Sequence, residues 1–261
     1  MTTNWEDGFI DSKETRIHYY RTGEGKPPVV LNHGAMDDGL CWTRIAKELE
    51  ADYDLVMLDA RGHGLSDSGN GDYSSKIRAA DIAAAIYQLG LDRPVVGGHS
   101  LGADGSLHLA ADYPELTRGI FLEDPPIILP GQPMFGGKAM EGKDTVKLMK
   151  VFMTTIRKLP SFLANFVARK MMPGYPDDEI IPWVNSKKRI NPDFFKSMET
   201  TLDFTGGVPE DLLSHIEVPV LLFIGSRENG SIVSLEAAEK MKNATNHLQI
   251  VHLEGASHDI R

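Results

Sequence analysis

Short apolar runs alternate with longer stretches of helical spacing through the first 125 residues. PVVLN (28–32) is bounded by Lys26-Pro27 and His33-Gly34, which predicts a short buried strand. Leu55–Leu58 (LVML), Pro94–Gly97 (PVVG) and Gly119–Glu123 (GIFLE) repeat that signal. Between them, Leu40–Glu50 has helical spacing, and Ser74–Leu89 places Ile77, Ile82, Ile86 and Leu89 along one helical face. Leu101–Tyr113 reads as a helix closed by Pro114. Arg16–Tyr20 predicts one strand of a hairpin with residues near Phe9. The alternation of strand and helix is that of a mostly parallel sheet with helices on both faces.

From Pro126 to about Asp203 the rhythm changes. Prolines punctuate Met- and Phe-rich helical stretches such as KLMKVFMTTIRKL, SFLANFVARKMM and DFFKSMETTL. PVLLFI (219–224) then resumes the strand pattern, Leu235–Met241 reads as a helix and His247–Leu253 as a last strand. The expected organisation is an α/β core of residues 1–125 and 204–261, interrupted by a helical cap of residues 126–203. The Met and Phe residues of the cap suit packing, and the same composition suits a flexible apolar lid over a pocket.

Composition narrows the function classes. A net charge of −10 argues against a phosphate-backbone or anionic-membrane partner. Cys41 is the only cysteine, which excludes an internal disulfide framework and a cysteine zinc site. No apolar stretch resembles a signal peptide or a membrane span, so a cytoplasmic location is expected. No metal or organic cofactor is called for. The expected partner is a small hydrophobic substrate, and the composition leaves room for a homodimer.

The chemistry is expected at VGGHSLGA (96–103). Ser100 lies between a predicted strand and a predicted helix, with glycines two positions away on either side. On a tight strand-to-helix turn a serine hydroxyl is forced outward, and neighbouring backbone approaches so closely that only small flanking residues fit. The helix that follows aims free N–H groups at any anion formed beside Ser100. Glycine-rich turns of this kind also cradle phosphates or serve structure alone. At the end of the first buried strand, LNHGA (31–35) turns so that Ala35 would supply one oxyanion donor and Leu101 the other, with His33 as a turn residue.

LNHGA, DARGHGLSD (59–67), GHSLG (98–102) and GASHD (255–259) together resemble the α/β-hydrolase fold superfamily, in that family's order and over nearly the whole chain. The resemblance implies an eight-stranded sheet, a variable cap after the sixth strand, and a Ser–acid–His triad; it makes Arg61–Gly64 a structural loop. His258, on a loop after the last strand, fits the base. Glu228, three residues past Gly225, matches the position after the seventh strand where the family most often carries an aspartate, and is the preferred acid. Asp124, at the end of the sixth strand, is the alternative. The family also adds a final helix beyond the base; this sequence ends at Arg261, so one face of the last strands is expected to be less covered.

The expected activity is hydrolysis of a carboxylic ester or lactone through an acyl-enzyme on Ser100. A serine nucleophile argues against the carboxylate chemistry of haloalkane dehalogenases and epoxide hydrolases. The same triad also serves carbon–carbon bond hydrolysis, lyase reactions and perhydrolysis. A hydrolase-like ligand receptor is the alternative of a different class.

Overall fold

The computed structural model describes residues 4–135, 142–172, 175–200 and 207–260. Its strands are β1 (Glu6–Ser12), β2 (Thr15–Arg21), β3 (Pro28–Asn32), β4 (Asp54–Leu58), β5 (Val95–His99), β6 (Gly119–Glu123), β7 (Val220–Ile224) and β8 (Leu248–His252). They form one sheet in the order β1-β2-β4-β3-β5-β6-β7-β8. β2 runs antiparallel to β1 and β4, and every other pairing is parallel. The apolar runs become strands because both of their faces are covered: all five positions of β4 are buried.

The helices are α1 (Thr43–Leu49), α2 (Ser75–Gln88), α3 (Leu101–Asp112), α4 (Gly142–Lys158), α5 (Ser161–Met171), α6 (Asp177–Arg189), α7 (Pro192–Thr200), α8 (Glu210–Ser214) and α9 (Leu235–Ala244). The helix expected over Leu40–Glu50 is divided into a 3₁₀ turn at Gly39–Trp42 and then α1. The Gly39 amide donates to Asp59 Oδ1 at 2.7 Å, and a Cβ there would stand 2.9 Å from the Met57 carbonyl. The chain is thus pinned to the end of β4 before it can wind regularly. On α2 the buried face is Arg78, Ala79, Ile82, Ala83, Ala85 and Ile86, whereas Ile77 is only half-buried. Arg78 is tied to Asp104 of α3, so α2 turns an arginine and alanines toward its neighbour.

Val30, Val56, Val96, Ile120, Leu122 and Leu222 pack on one side of the sheet with residues of α2, α3 and α9. Leu31, Leu55 and Met57 point to the other side, against Trp42 and Ala46. That second face is the less covered one: Phe121, Leu221 and Phe223 are half-buried and line an open groove of about 590 Å³.

α4 to α7 lie between β6 and α8. Ile156, Ala164, Ala168, Ile180 and Val184 give this insertion a small core of its own. A second cluster joins it to the loops and helix at the sheet's edge of the pocket, with Met153, Ile190, Phe194 and Phe195 packed against Tyr73 and Leu101. The boundary expected between residues 203 and 204 falls at 201–206, outside the described residues. Among the described residues no helix is long and apolar enough to cross a membrane.

Candidate active site

Ser100 sits between β5 and α3 at φ 52°, ψ −115°, a conformation that costs an L-residue about 1–3 kcal/mol. Its amide donates to the Glu123 carbonyl at 2.8 Å, which fastens the turn to β6. The flanking glycines answer to the backbone crossing beside them. A Cβ on Gly98 would lie 2.5 Å from the Asn32 carbonyl oxygen, and one on Gly102 would lie 2.2 Å from it. No other residue fits at either place without moving β3.

The end of β3 turns over this serine. A Cβ on Gly34 would be 2.6 Å from His99 Nδ1, so glycine is required for His33-Gly34-Ala35 to pass. The turn closes where the Asp37 amide donates to the Gly34 carbonyl at 3.2 Å, with Met36 at φ 71°. Ala35 and Leu101 line a pocket of about 210 Å³ together with Ser100 and His258. Leu101 is the first residue of α3, so its N–H has no acceptor within the helix.

His33 and His63 are buried, and burial lowers both below the ordinary imidazole value, His63 to about 3 with His33 beside it. His33 Nε2 accepts from the Ala60 amide at 2.9 Å, and His63 Nδ1 donates to the Arg61 carbonyl at 3.0 Å. Both are neutral turn supports.

The structure brings Asp124, and not the preferred Glu228, to His258. His258 Nδ1 lies 2.6 Å from Asp124 Oδ2, and Asp124 is wholly buried at φ 43°. Glu228 is exposed in a short 3₁₀ turn, Arg227–Asn229, ended by Gly230 at φ 97°. The physical reason is the path of the loop after β7. Arg227 donates to the carbonyls of Pro133, Ser231 and Ile232 at 2.6–2.8 Å, folding the loop onto the end of β6. There Ser231 Oγ (2.7 Å) and the amides of Ile232 (2.7 Å) and Val233 (2.9 Å) donate to the Asp124 carboxylate. The loop that was expected to deliver an acid instead delivers three donors to one.

His258 is held from other sides too. Gly225 leaves room for its loop, since a Cβ there would lie 2.6 Å from the carbonyls of Ala256 and Ser257. His99 Nε2 donates to the His258 carbonyl at 3.0 Å, and the two rings are 4.5 Å apart. Phe135 meets the His258 ring edge-on at 5.4 Å. His252 is exposed at the end of β8. Sequence reasoning did not foresee His99, Phe135 or Lys187 of α6, which also lines the pocket. For His99 the available signal was the alternation along β5; for the other two there was none.

A serine at a strained strand-to-helix turn, a histidine on a carboxylate and two candidate amide donors thus stand together at one pocket. The chain belongs to the alpha/beta hydrolase fold family, whose sequence profile matches residues 27–260. It is 25% identical over 264 residues to N-formylmaleamate deformylase of Pseudomonas putida, covering all of this chain and 92% of that one. It is 26% identical over 259 residues to 2-(acetamidomethylene)succinate hydrolase of Mesorhizobium japonicum, covering 95% and 87%. Among solved structures, N-formylmaleamic acid deformylase from Pseudomonas putida S16 superposes with a TM-score of 0.80 at 20% identity, over 98% of this chain and 95% of that one. An esterase from Exiguobacterium antarcticum superposes at 0.74, with 20% identity over 97% and 92%.

Proposed function

We propose that the protein is a serine hydrolase that cleaves a carboxylic ester or lactone through an acyl-enzyme on Ser100. The observation that carries this reading is the Asp124–His258 hydrogen bond beside the pocket that holds Ser100. Ser100 Oγ attacks the carbonyl carbon while His258 Nε2 takes its proton. The resulting oxyanion accepts from the amides of Ala35 and Leu101. Collapse expels the alkoxide, which leaves as alcohol with the proton from His258. Water then adds to the acyl-enzyme with His258 again as base, releasing the acid and Ser100. Asp124 keeps the His258 proton on Nδ1 and stabilises the imidazolium formed in each half-reaction.

A second reading is favoured by two relatives that match along nearly their whole length, both named for compounds in which an acyl group is carried on nitrogen. The same sequence of steps cleaves such an amide, with His258 protonating a nitrogen leaving group. One experiment tests both. Turnover of p-nitrophenyl butyrate, a lactone series and N-formyl and N-acetyl enamides is measured for the native protein and for Ser100→Ala. The native protein should show an initial burst of p-nitrophenol equal to its active sites. The variant should lose on the order of 10⁶ in kcat while melting at an unchanged temperature. A folded variant that retains turnover removes Ser100 from the reaction.

A further inference from the structure

Two residues beyond Ala35, the buried Asp37 receives a hydrogen bond from the ammonium of Lys187, which comes from α6 in the insertion, 150 residues away in sequence. Lys187 is 3% exposed. Its Nζ also donates to Ser186 Oγ at 3.2 Å and stands 4.5 Å from the centre of the Trp183 ring. An ammonium removed from water this completely is tolerated only against a counter-charge, so the pair fixes both of its ends. At the next position Arg189 of α6 stands 3.7 Å from Asp38. The segment gripped in this way is the turn that carries Ala35. Its closing bond runs from the Asp37 amide to Gly34, and Met36 holds a left-handed φ that a non-glycine residue avoids. A strained turn keeps its shape only while its surroundings impose it.

We propose that Lys187 is a positioning residue: by holding Asp37 it sets the Gly34–Asp37 turn, and through it the Ala35 amide, so that the oxyanion site is complete only when the insertion is seated on the core. The inference rests on the acyl-transfer reading of Ser100. Because Asp37 already answers its charge, Lys187 acts through the turn and makes no contact with a substrate anion.

The test uses Lys187→Met, Asp37→Asn and the double variant. Each is assayed on a neutral ester, p-nitrophenyl butyrate, and on an anionic one, monoethyl adipate followed by proton release. Lys187→Met should lower kcat by about 10- to 100-fold on both esters with KM changed less than about threefold, as expected for a displaced but still present group. Affinity for a trifluoromethyl ketone, whose adduct with Ser100 places an oxyanion at the same amides, should fall by the same factor as kcat/KM. The double variant should be no worse than the poorer single one, since both break one link.

An unchanged kcat overturns the proposal, as does a rise in KM confined to the anionic ester, which would make Lys187 a substrate contact. Losses that multiply in the double variant overturn it too. If Lys187→Met does not fold, Asp37→Asn, which keeps an acceptor at the same place, carries the test on kcat and on the ketone. Native protein without Ser100-dependent turnover defeats the acyl-transfer reading, whereas Ser100-dependent turnover indifferent to both variants defeats this one alone.

Discussion

The sheet and the helical insertion solve the burial problem differently. Strands β3 to β7 are short, mostly buried and paired on both sides, so each of their ends is placed by several others, whereas β8 is an edge strand paired with β7. α4 to α6 share a small cluster of alanines and branched residues, leaving Phe162 and Phe166 exposed, and the insertion meets the core through an apolar patch around Phe194 and the ion pairs of α6. Charge divides the same way. Residues 126–203 hold twelve Lys or Arg against eight Asp or Glu, a balance of +4, in a chain whose total is −10. The basic last turn of α6 therefore settles on the acidic loop after β3, where Lys187 meets Asp37 and Arg189 approaches Asp38. Every group that the proposed mechanism assigns to bond making or proton transfer lies at a strand end of the sheet or on the turn or loop that follows one. The insertion supplies the walls Phe152, Trp183 and Lys187. The proposed chemistry thus sits at the sheet's ends, and the insertion closes the pocket beside it.

The sharpest way to break this division is at the acid. Asp124→Asn should lower kcat by about 10⁴, because an asparagine no longer fixes the His258 tautomer or answers the imidazolium. It should also loosen the 231–233 loop, whose two amides and hydroxyl lose an ionised acceptor. Glu228→Gln, on an exposed turn, should leave kcat within about twofold, since surface charges of this kind contribute little. Steady-state kinetics on one ester decide it. A large loss at Glu228 together with a small one at Asp124 would move the proton relay off the sheet and on to the loop after β7.

What the sequence disclosed follows the same line. β3 and β6 occupy the residues expected from their apolar runs, because strands covered on both faces have few ways to be anything else. The serine turn was legible for a related reason, since Gly98 and Gly102 record a backbone crossing that leaves no room for a side chain. Which carboxylate meets His258 was not legible. Choosing between Asp124 and Glu228 requires knowing where the loop after β7 goes, and that path is decided by Arg227 reaching two carbonyls of its own loop and that of Pro133, far from it in sequence. The link between Lys187 and Asp37 was hidden likewise: nothing in KKR or in AMDD announces its partner.

Within the insertion, two adjacent residues should differ. Met153 is fully buried against Tyr73, Leu101 and Phe194, so Met153→Ala should cost about 2–5 kcal/mol of stability and depress turnover of all esters together. Phe152 is half-buried and lines the pocket, so Phe152→Ala should cost less and reorder the preference among acyl chain lengths. Chemical denaturation and a chain-length series separate them. A large loss of stability at Phe152 with no change in preference would assign that side chain to the packed core.

The smallest expected effect tests whether the insertion's charge or the core's burial governs the loop between them. Burial, followed by the charges of Asp59 and Asp37, pushes the Asp38 carboxyl up to about 7, while Arg189 and Lys187 pull it back. In the unfolded chain an aspartate titrates at about 3.9. Between those values the folded protein still holds a proton that the unfolded chain has released, so this group makes stability fall as pH rises from about 4 to about 7. His63 works in the opposite sense. Its imidazole, lowered to about 3 by burial and by His33, stays neutral while the unfolded chain takes up a proton below about 6.5, so stability falls toward acid. In the native protein the two slopes offset each other between about pH 4 and 6.5. Asp38→Asn keeps an acceptor for the Leu40 amide but has no proton to release, so only the histidine slope remains. Its melting temperature should climb steadily through that range and exceed that of the native protein at pH 8 by a few degrees, the equivalent of about 1–2 kcal/mol. Parallel profiles for the two proteins would mean that Asp38 is ionised throughout. Arg189 and Lys187 would then outweigh burial, and the insertion would set the charge of the core loop as well as its shape.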